Sequence, residues 1–290
     1  MKNLKDYIIE GWKPVKQVQP KTKDELKKLI EDTIKLQGNN ANLKFIDTSL
    51  ITDMHELFYD SDFNGDISNW DVSNVTDMSY MFGISEFNGD ISEWNVSSVT
   101  NMYGMFANSK FNQDISEWDV SNVNNMNCMF DTSKFNGDIS KWNVSNVTDM
   151  QSMFFKSPFN GDISNWDVSN VEYMSYMFES SKFNGDISKW DVSNVTNMQY
   201  MFYDASKFNG DISDWDVSNV NNMSYMFYGT FKFNQDISDW DVSNVTDMES
   251  MFSNSIFNCD ISKWNINTAC NVKQMFYHCP LERKYQPKLK

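Results

Sequence analysis

The apolar positions of the chain follow one pattern, repeated almost without change. Tryptophans stand at Trp70, Trp94, Trp118, Trp142, Trp166, Trp190, Trp215, Trp240 and Trp264, 24 residues apart except for two steps of 25. Around each, the same unit recurs, F-N-G-D-I-S-x-W-D-V-S-N-V-T-D-M-x-x-M-F, followed by four or five variable residues. The extra residues enter after Phe202 and Phe227, in the variable tail, where a loop tolerates insertion. A fixed period of this length marks a stacked array, because no single unit can bury its own Phe, Trp, Ile, Val and Met side chains.

Two shorter periods run inside each unit. Val75, Met78, Met81 and Phe82 lie at i, i+3, i+6 and i+7, which predicts a helix of about two turns with Asn74 or Thr76 capping its start. Residues 66–72 place β-branched and aromatic residues after an Asn-Gly turn signal and predict a short strand. Ile67 and Trp70 are three apart, so strict alternation cannot turn both inward, and the strand is expected to bend near Ser68 or Asn69. The fold expected is an α/β, leucine-rich-repeat-like solenoid of about ten coils, each a short strand plus a short helix, its core made of stacked side-chain ladders. At ~4.8 Å per coil it forms a rod or shallow arc of roughly 45–50 Å.

The ends decay, as terminating coils do. In the first copy Ile46 takes the Trp place, Ile51 the Val place, and Met54, Leu57 and Phe58 stand for M-x-x-M-F. The last copy fades through Ile266, Ala269, Val272, Met275 and Phe276. Ahead of the repeats, Thr22 and Glu25 form a capping box, Leu26, Leu29, Ile30 and Ile34 mark one face, and Gly38 is a stop signal, which predicts a helical lid on the first coil. The expected organisation is an extended basic arm over 1–21, a capping helix over 22–38, the solenoid over 39–280 and a basic tail over 281–290. Tyr7 and Trp12 have no place in the repeat and are candidates for a partner-docking arm.

Composition changes the picture in two ways. With 22 Phe, 19 Met and 10 Trp, the core is aromatic and thioether-rich rather than aliphatic. The net charge of -16 is unevenly spread, because residues 1–37 and 282–290 each carry a net +3 and leave -22 for the body. Nucleic acid and anionic membrane surfaces are therefore poor partners. No apolar run approaches the ~18 residues of a membrane helix and no export signal is visible, so no membrane insertion is expected, and the chain is expected in the cytoplasm at synthesis. Cys128, Cys259, Cys270 and Cys279 follow no metal spacing, and we read them as free thiols in preference to a bridge between Cys270 and Cys279.

The unit, as in residues 63–82 and 159–178, resembles the BspA-like leucine-rich repeat family in its aromatic, Met-rich, mycoplasma-type variant. The resemblance covers about residues 39–280 and implies a binding role without naming a ligand. Members are bacterial, protist or phage-associated proteins, often surface-displayed, and the best-studied type binds host matrix proteins.

Catalytic chemistry has little to work with. The two histidines, His55 and His278, stand at opposite ends of the array, and no Gly-rich phosphate loop or zinc spacing is present, so no enzyme is expected. One carboxylate per coil, the column Asp66, Asp90, Asp114, Asp138, Asp162, Asp186, Asp211, Asp236 and Asp260, has two readings: satisfying turn amides, or binding calcium together with Asn64-type carbonyls. The turn role is favoured and no cofactor is assigned. The sequons at Asn74, Asn146, Asn194, Asn244, Asn95 and Asn143 are read as products of the repeat.

Ligand contacts should vary where scaffold residues stay fixed. One variable column reads Asn69, Glu93, Glu117, Lys141, Asn165, Lys189, Asp214, Asp239 and Lys263, with a solvated face as its plain alternative. The other lies inside M-x-x-M-F and carries Tyr80, Tyr103, Tyr176, Tyr200 and Tyr225, a residue type suited to contact surfaces. The function expected is a non-enzymatic binding or adhesion module for a protein or glycan. The alternative is a structural subunit of a bacteriophage virion or other assembly, built by self-association or with other virion proteins.

Overall fold

A computed structural model describes residues 17–288. Tyr7 and Trp12 of the expected docking arm lie outside the described residues. The chain opens into helix α1, Lys23–Gln37, whose start is capped reciprocally: Thr22 Oγ1 accepts the Glu25 N–H, and the Glu25 carboxylate accepts the Lys21 N–H. Gly38, at φ 82°, ends the helix and donates its N–H to Ile34 O. Leu26, Ile30 and Thr33 are buried, Thr33 by donating its hydroxyl back to Leu29 O.

The repeats form a regular solenoid, but not from the elements the periods predict. No α-helix other than α1 occurs among the described residues; a single 3-10 turn, Arg283–Tyr285, lies near the end. The i+3 spacing over 75–82 is met instead by successive tight turns, in which Met81 N–H donates to Met78 O and Gly83 N–H to Tyr80 O. Tyr80 and Ile84 sit in the left-handed region at φ 52° and 53°, and so do their counterparts in later coils, which breaks any right-handed run. Asn74 and Thr76 cap no helix; Asn74 Nδ2 donates to Ser49 O and Thr76 Oγ1 to Thr52 O of the preceding coil.

The strand predicted over 66–72 is also absent. Trp70 N–H closes a turn onto Ile67 O and Val75 N–H onto Val72 O, so the bend expected near Ser68 or Asn69 takes up most of that segment. Asp66 alone of that segment makes a parallel bridge, to Asn42 of the first coil, and the inter-coil pairing that recurs lies in the stretch expected to be helical. Parallel bridges join Asp53 to Asp77, Asp77 to Asn101 and so on to Asn271.

This turn ribbon is polar in one sense. Met78, Tyr80, Phe82 and Ile84 donate their N–H groups to Asn101, Tyr103, Met105 and Ala107 O of the next coil, and the same four bonds recur at every step to Asn254 and Tyr277. Forward-pointing N–H and backward-pointing C=O groups alternate along the ribbon, while other amides close the turns. Fewer bonds run back, as from Thr100 N–H to Thr76 O at one edge of the ribbon and, in several steps, from Lys110-type N–H to Ser85-type O beyond it.

Side-chain ladders fill the interior. Each Trp of the repeats is buried and donates its indole N–H to the preceding coil, Trp70 to Leu43 O and the later ones to the Ile O, as Trp118 does to Ile91 at 3.1 Å. Asn122 Nδ2 reaches Ser97 O at 2.7 Å in the same way, and Asn64 Oδ1 accepts the Asn88 N–H. No buried side-chain nitrogen or oxygen lacks a partner among the described residues.

Ring spacings differ across the coil. Phe82, Phe106 and Phe130 repeat at 5.7 and 5.8 Å, Phe87 and Phe111 at 6.4 Å, and Trp190 and Trp215 at 6.5 Å, while Tyr200 and Tyr225 on the ribbon surface repeat at 4.7 Å. A near-parallel pair in equivalent places measures the local advance per coil. The advance is smallest at the outer face of the ribbon and largest at the Trp side, so the stack bends with the ribbon on its concave side.

Candidate binding face on the turn ribbon

The conserved carboxylates settle into turns. In each coil the Asp66-type Oδ1 accepts the N–H of the Ser two residues on, as Asp90 does from Ser92 at 3.0 Å. Hydrogen bonds from the Ser92 and Ser116 N–H groups, then from their hydroxyls, hold the Asp90 and Asp114 carboxyls below the usual range. The Ser hydroxyls bond within their own coil, as Ser92 Oγ does to Asp90, rather than forming a ladder between coils. Asn64 Oδ1, the other atom of the calcium reading, is engaged by Asn88. Among the described residues no group of three or more His, Cys, Asp or Glu is placed to hold a metal ion. The sequon amides of Asn146, Asn194 and Asn244 each donate to a Ser O of the preceding coil. All four cysteines are free, and burial pushes the Cys128 thiol up to about 11, leaving it protonated and unreactive.

The two variable columns occupy different segments. Asn69, Glu93, Glu117, Lys141, Asn165, Lys189, Asp214, Asp239 and Lys263 are all exposed, on the turn before each Trp. Their contacts there are local: Lys141 pairs with Glu117 at 2.6 Å, and Asn69 Nδ2 donates to Lys44 O. The tyrosines stand on the ribbon and form two groups. Tyr80 meets Tyr103 edge-on at 4.8 Å, with Tyr59 beside it. Tyr176, Tyr200 and Tyr225 stack face to face at 4.9 and 4.7 Å.

A second ladder, absent from the sequence reading, runs beside the first. Tyr203 and Tyr228 stack at 4.7 Å, and Tyr203 lies 5.3 Å from Tyr200. Both belong to the variable tail, in the two coils that carry the one-residue insertions; those insertions were the available signal. Burial, then neighbouring phenols, pushes Tyr200 up to about 12, so its hydroxyl stays protonated and serves as donor and acceptor. Next to the ladders, burial raises the Glu179 carboxyl to about 7, with Lys156 opposing and Asp204 and Asp131 adding to the shift. The face is thus aromatic, hydroxylated and acidic, on the concave side of the stack.

A family model described as Mycoplasma protein of unknown function, DUF285, matches residues 25–134, 108–206, 132–230 and 179–284. The chain belongs to that family. The DUF285 matches overlap because a regular array can be entered at several coils, and together they span residues 25–284, all but the first two residues of α1 and the whole solenoid. No curated protein and no solved structure matches the chain.

Proposed function

We propose that the chain is a non-enzymatic binding module that holds a protein partner against the concave face of its turn ribbon. The observation that carries this reading is the double tyrosine ladder over Tyr176, Tyr200, Tyr225, Tyr203 and Tyr228. The scaffold does not demand aromatic residues there, since Ser152 and Ser250 occupy the same column as Tyr176 in other coils with the same backbone angle. Tyrosine presents large area at little entropic cost, and a row of them on a concave, rigid surface suits a partner segment laid along the stack. The finer likeness to BspA-like repeats, whose best-studied type binds host matrix proteins, agrees with this role.

The test uses the full chain as bait for a displayed random-peptide library. Native protein should enrich a related set of peptides, and the triple variant Tyr176→Ser, Tyr200→Ser, Tyr225→Ser should lose that enrichment while keeping its melting temperature within a few degrees. Equal enrichment by both proteins, or none by either, would remove the ribbon face as the binding surface.

A further inference from the structure

The two insertions build a groove. Residues 228–232 carry Phe231 outward, 57 % exposed, and Ile256 of the next coil stands beside it, 42 % exposed. Opposite them run the outer edges of Tyr203 and Tyr228, and between the two walls lies an open groove of about 570 Å³ with Asp204, Gly229, Asn254 and His278 along it. Exposed Phe and Ile side chains facing stacked tyrosines form an apolar surface that nothing in the solenoid covers.

Along the groove stands an exposed carboxylate without a partner. Asp204 makes no side-chain hydrogen bond or ion pair among the described residues, and burial raises its carboxyl above the ordinary range. Its position depends on Gly229, at φ 66°, because a Cβ there would collide with Asp204 Oδ1. Among the described residues, Asp204 is the only ionisable group lining the groove besides His278 and the two phenols, and it is set in a body of net charge -22.

We propose that this groove takes an arginine- or lysine-bearing peptide segment: the cationic head meets Asp204 and the Tyr203 and Tyr228 hydroxyls, while the aliphatic stem lies on Phe231 and Ile256. Charge explains the choice over a sugar: the one carboxylate lining the groove stands in a body of net charge -22, which attracts a cation and gives a neutral pyranose no advantage. Tyr203 and Tyr228 are near-parallel at 6°, so each covers one face of the other, and their hydroxyls can accept hydrogen bonds. Long basic side chains bring an apolar stem and a polyvalent donor in one group. The inference rests on the reading of the ribbon as a binding face and names the partner chemistry at one end of it.

The probe is a fluorescein-labelled peptide with two arginines flanking a leucine, titrated by anisotropy at about 0.15 M salt, where diffuse attraction is screened within ~8 Å. Its arginine-to-glutamine counterpart is the control. The arginine peptide should bind native protein about tenfold more tightly than it binds Asp204→Asn, with a similar loss for the exposed change Phe231→Ser, and Asp62→Asn, which removes an equal charge elsewhere, should match native. Equal affinities for Asp204→Asn and Asp62→Asn, or equal binding of the glutamine peptide, would overturn the groove assignment. If the library in the preceding test still enriches peptides through the tyrosines, only this inference has failed; if that enrichment is absent too, the binding-face reading falls with it.

Discussion

Glu179 shows how a single residue on the ribbon couples binding surface to stability. Its carboxyl is raised from 4.5 to about 7, mainly by burial. Between those values the folded chain keeps a proton that the unfolded chain releases, so stability falls as pH rises through that window, and the penalty is full above 7. Asp131 and Asp204, also raised by burial, act in the same direction. The serine-bonded carboxylates such as Asp90 and Asp114 are lowered and act oppositely, losing their contribution only as pH drops below the ordinary Asp range. Native protein should therefore melt higher at pH 5.5 than at pH 7.5. Glu179→Gln, which cannot ionise, should be more stable than native by about 1–2 kcal/mol at pH 7.5, discounting the full shift for partial solvation, and by much less at pH 5. Parallel melting curves for the two proteins across this range would show that Glu179 is not held near 7.

The element scale is where sequence and structure part. The repeat, its stacked core and the bend near Ser68 or Asn69 were legible because they follow from the spacing of Ile67, Trp70 and their counterparts, whatever backbone connects them. The helix over 75–82 was not, because turns that each close over three residues place Val75, Met78, Met81 and Phe82 inward at the same intervals a helix would. The difference lies in single left-handed residues, most of which are not glycine. A faint signal existed: Gly104 stands in the Tyr80 column, and Asn108, Asp204, Gly229 and Asn254 in the Ile84 column, the residue types that tolerate positive φ best. The groove residues were illegible for another reason, since the variable tail obeys no period and only its two insertions marked it. Ile84 is the sharpest misfit, a β-branched residue at φ 53° and 43 % exposed. Ile84→Gly should raise stability by about 1 kcal/mol in urea unfolding, whereas Ile84→Ala, which keeps a Cβ, should not. A loss with glycine would mean the exposed Ile side chain contributes more than its backbone strain costs.

At the scale of the whole molecule, the one-way ribbon gives the solenoid two chemically different ends. Every step consumes forward N–H groups and backward C=O groups, so among the described residues the first coil leaves the carbonyls of Asp53, His55, Leu57 and Tyr59 without backbone donors, and the last leaves the N–H groups of Val272, Gln274, Phe276 and His278 without acceptors. The ends are also finished differently. At the first coil α1 buries Leu26 and Ile30 against the core, and Lys23 reaches Asp53 at 3.3 Å. At the last coil Leu281 is buried and Ile261 N–H donates to Tyr285 O, yet Ile266, Val272 and Phe276 remain only partly covered. In a stack held by nearest-neighbour contacts, local opening starts where one neighbour is missing. Hydrogen exchange should find the amides of Val272, Gln274, Phe276 and His278 exchanging fast, while Met248, Ser250, Phe252 and Asn254, one coil inward and bonded to Asn271, Lys273, Met275 and Tyr277 O, are protected by orders of magnitude. Protection should then rise toward the middle of the array and stay high up to the coil beneath α1. Equal protection of the Val272 and Met248 sets would mean that a second chain supplies carbonyls to this donor row, and dilution, by separating the copies, would restore the fast exchange.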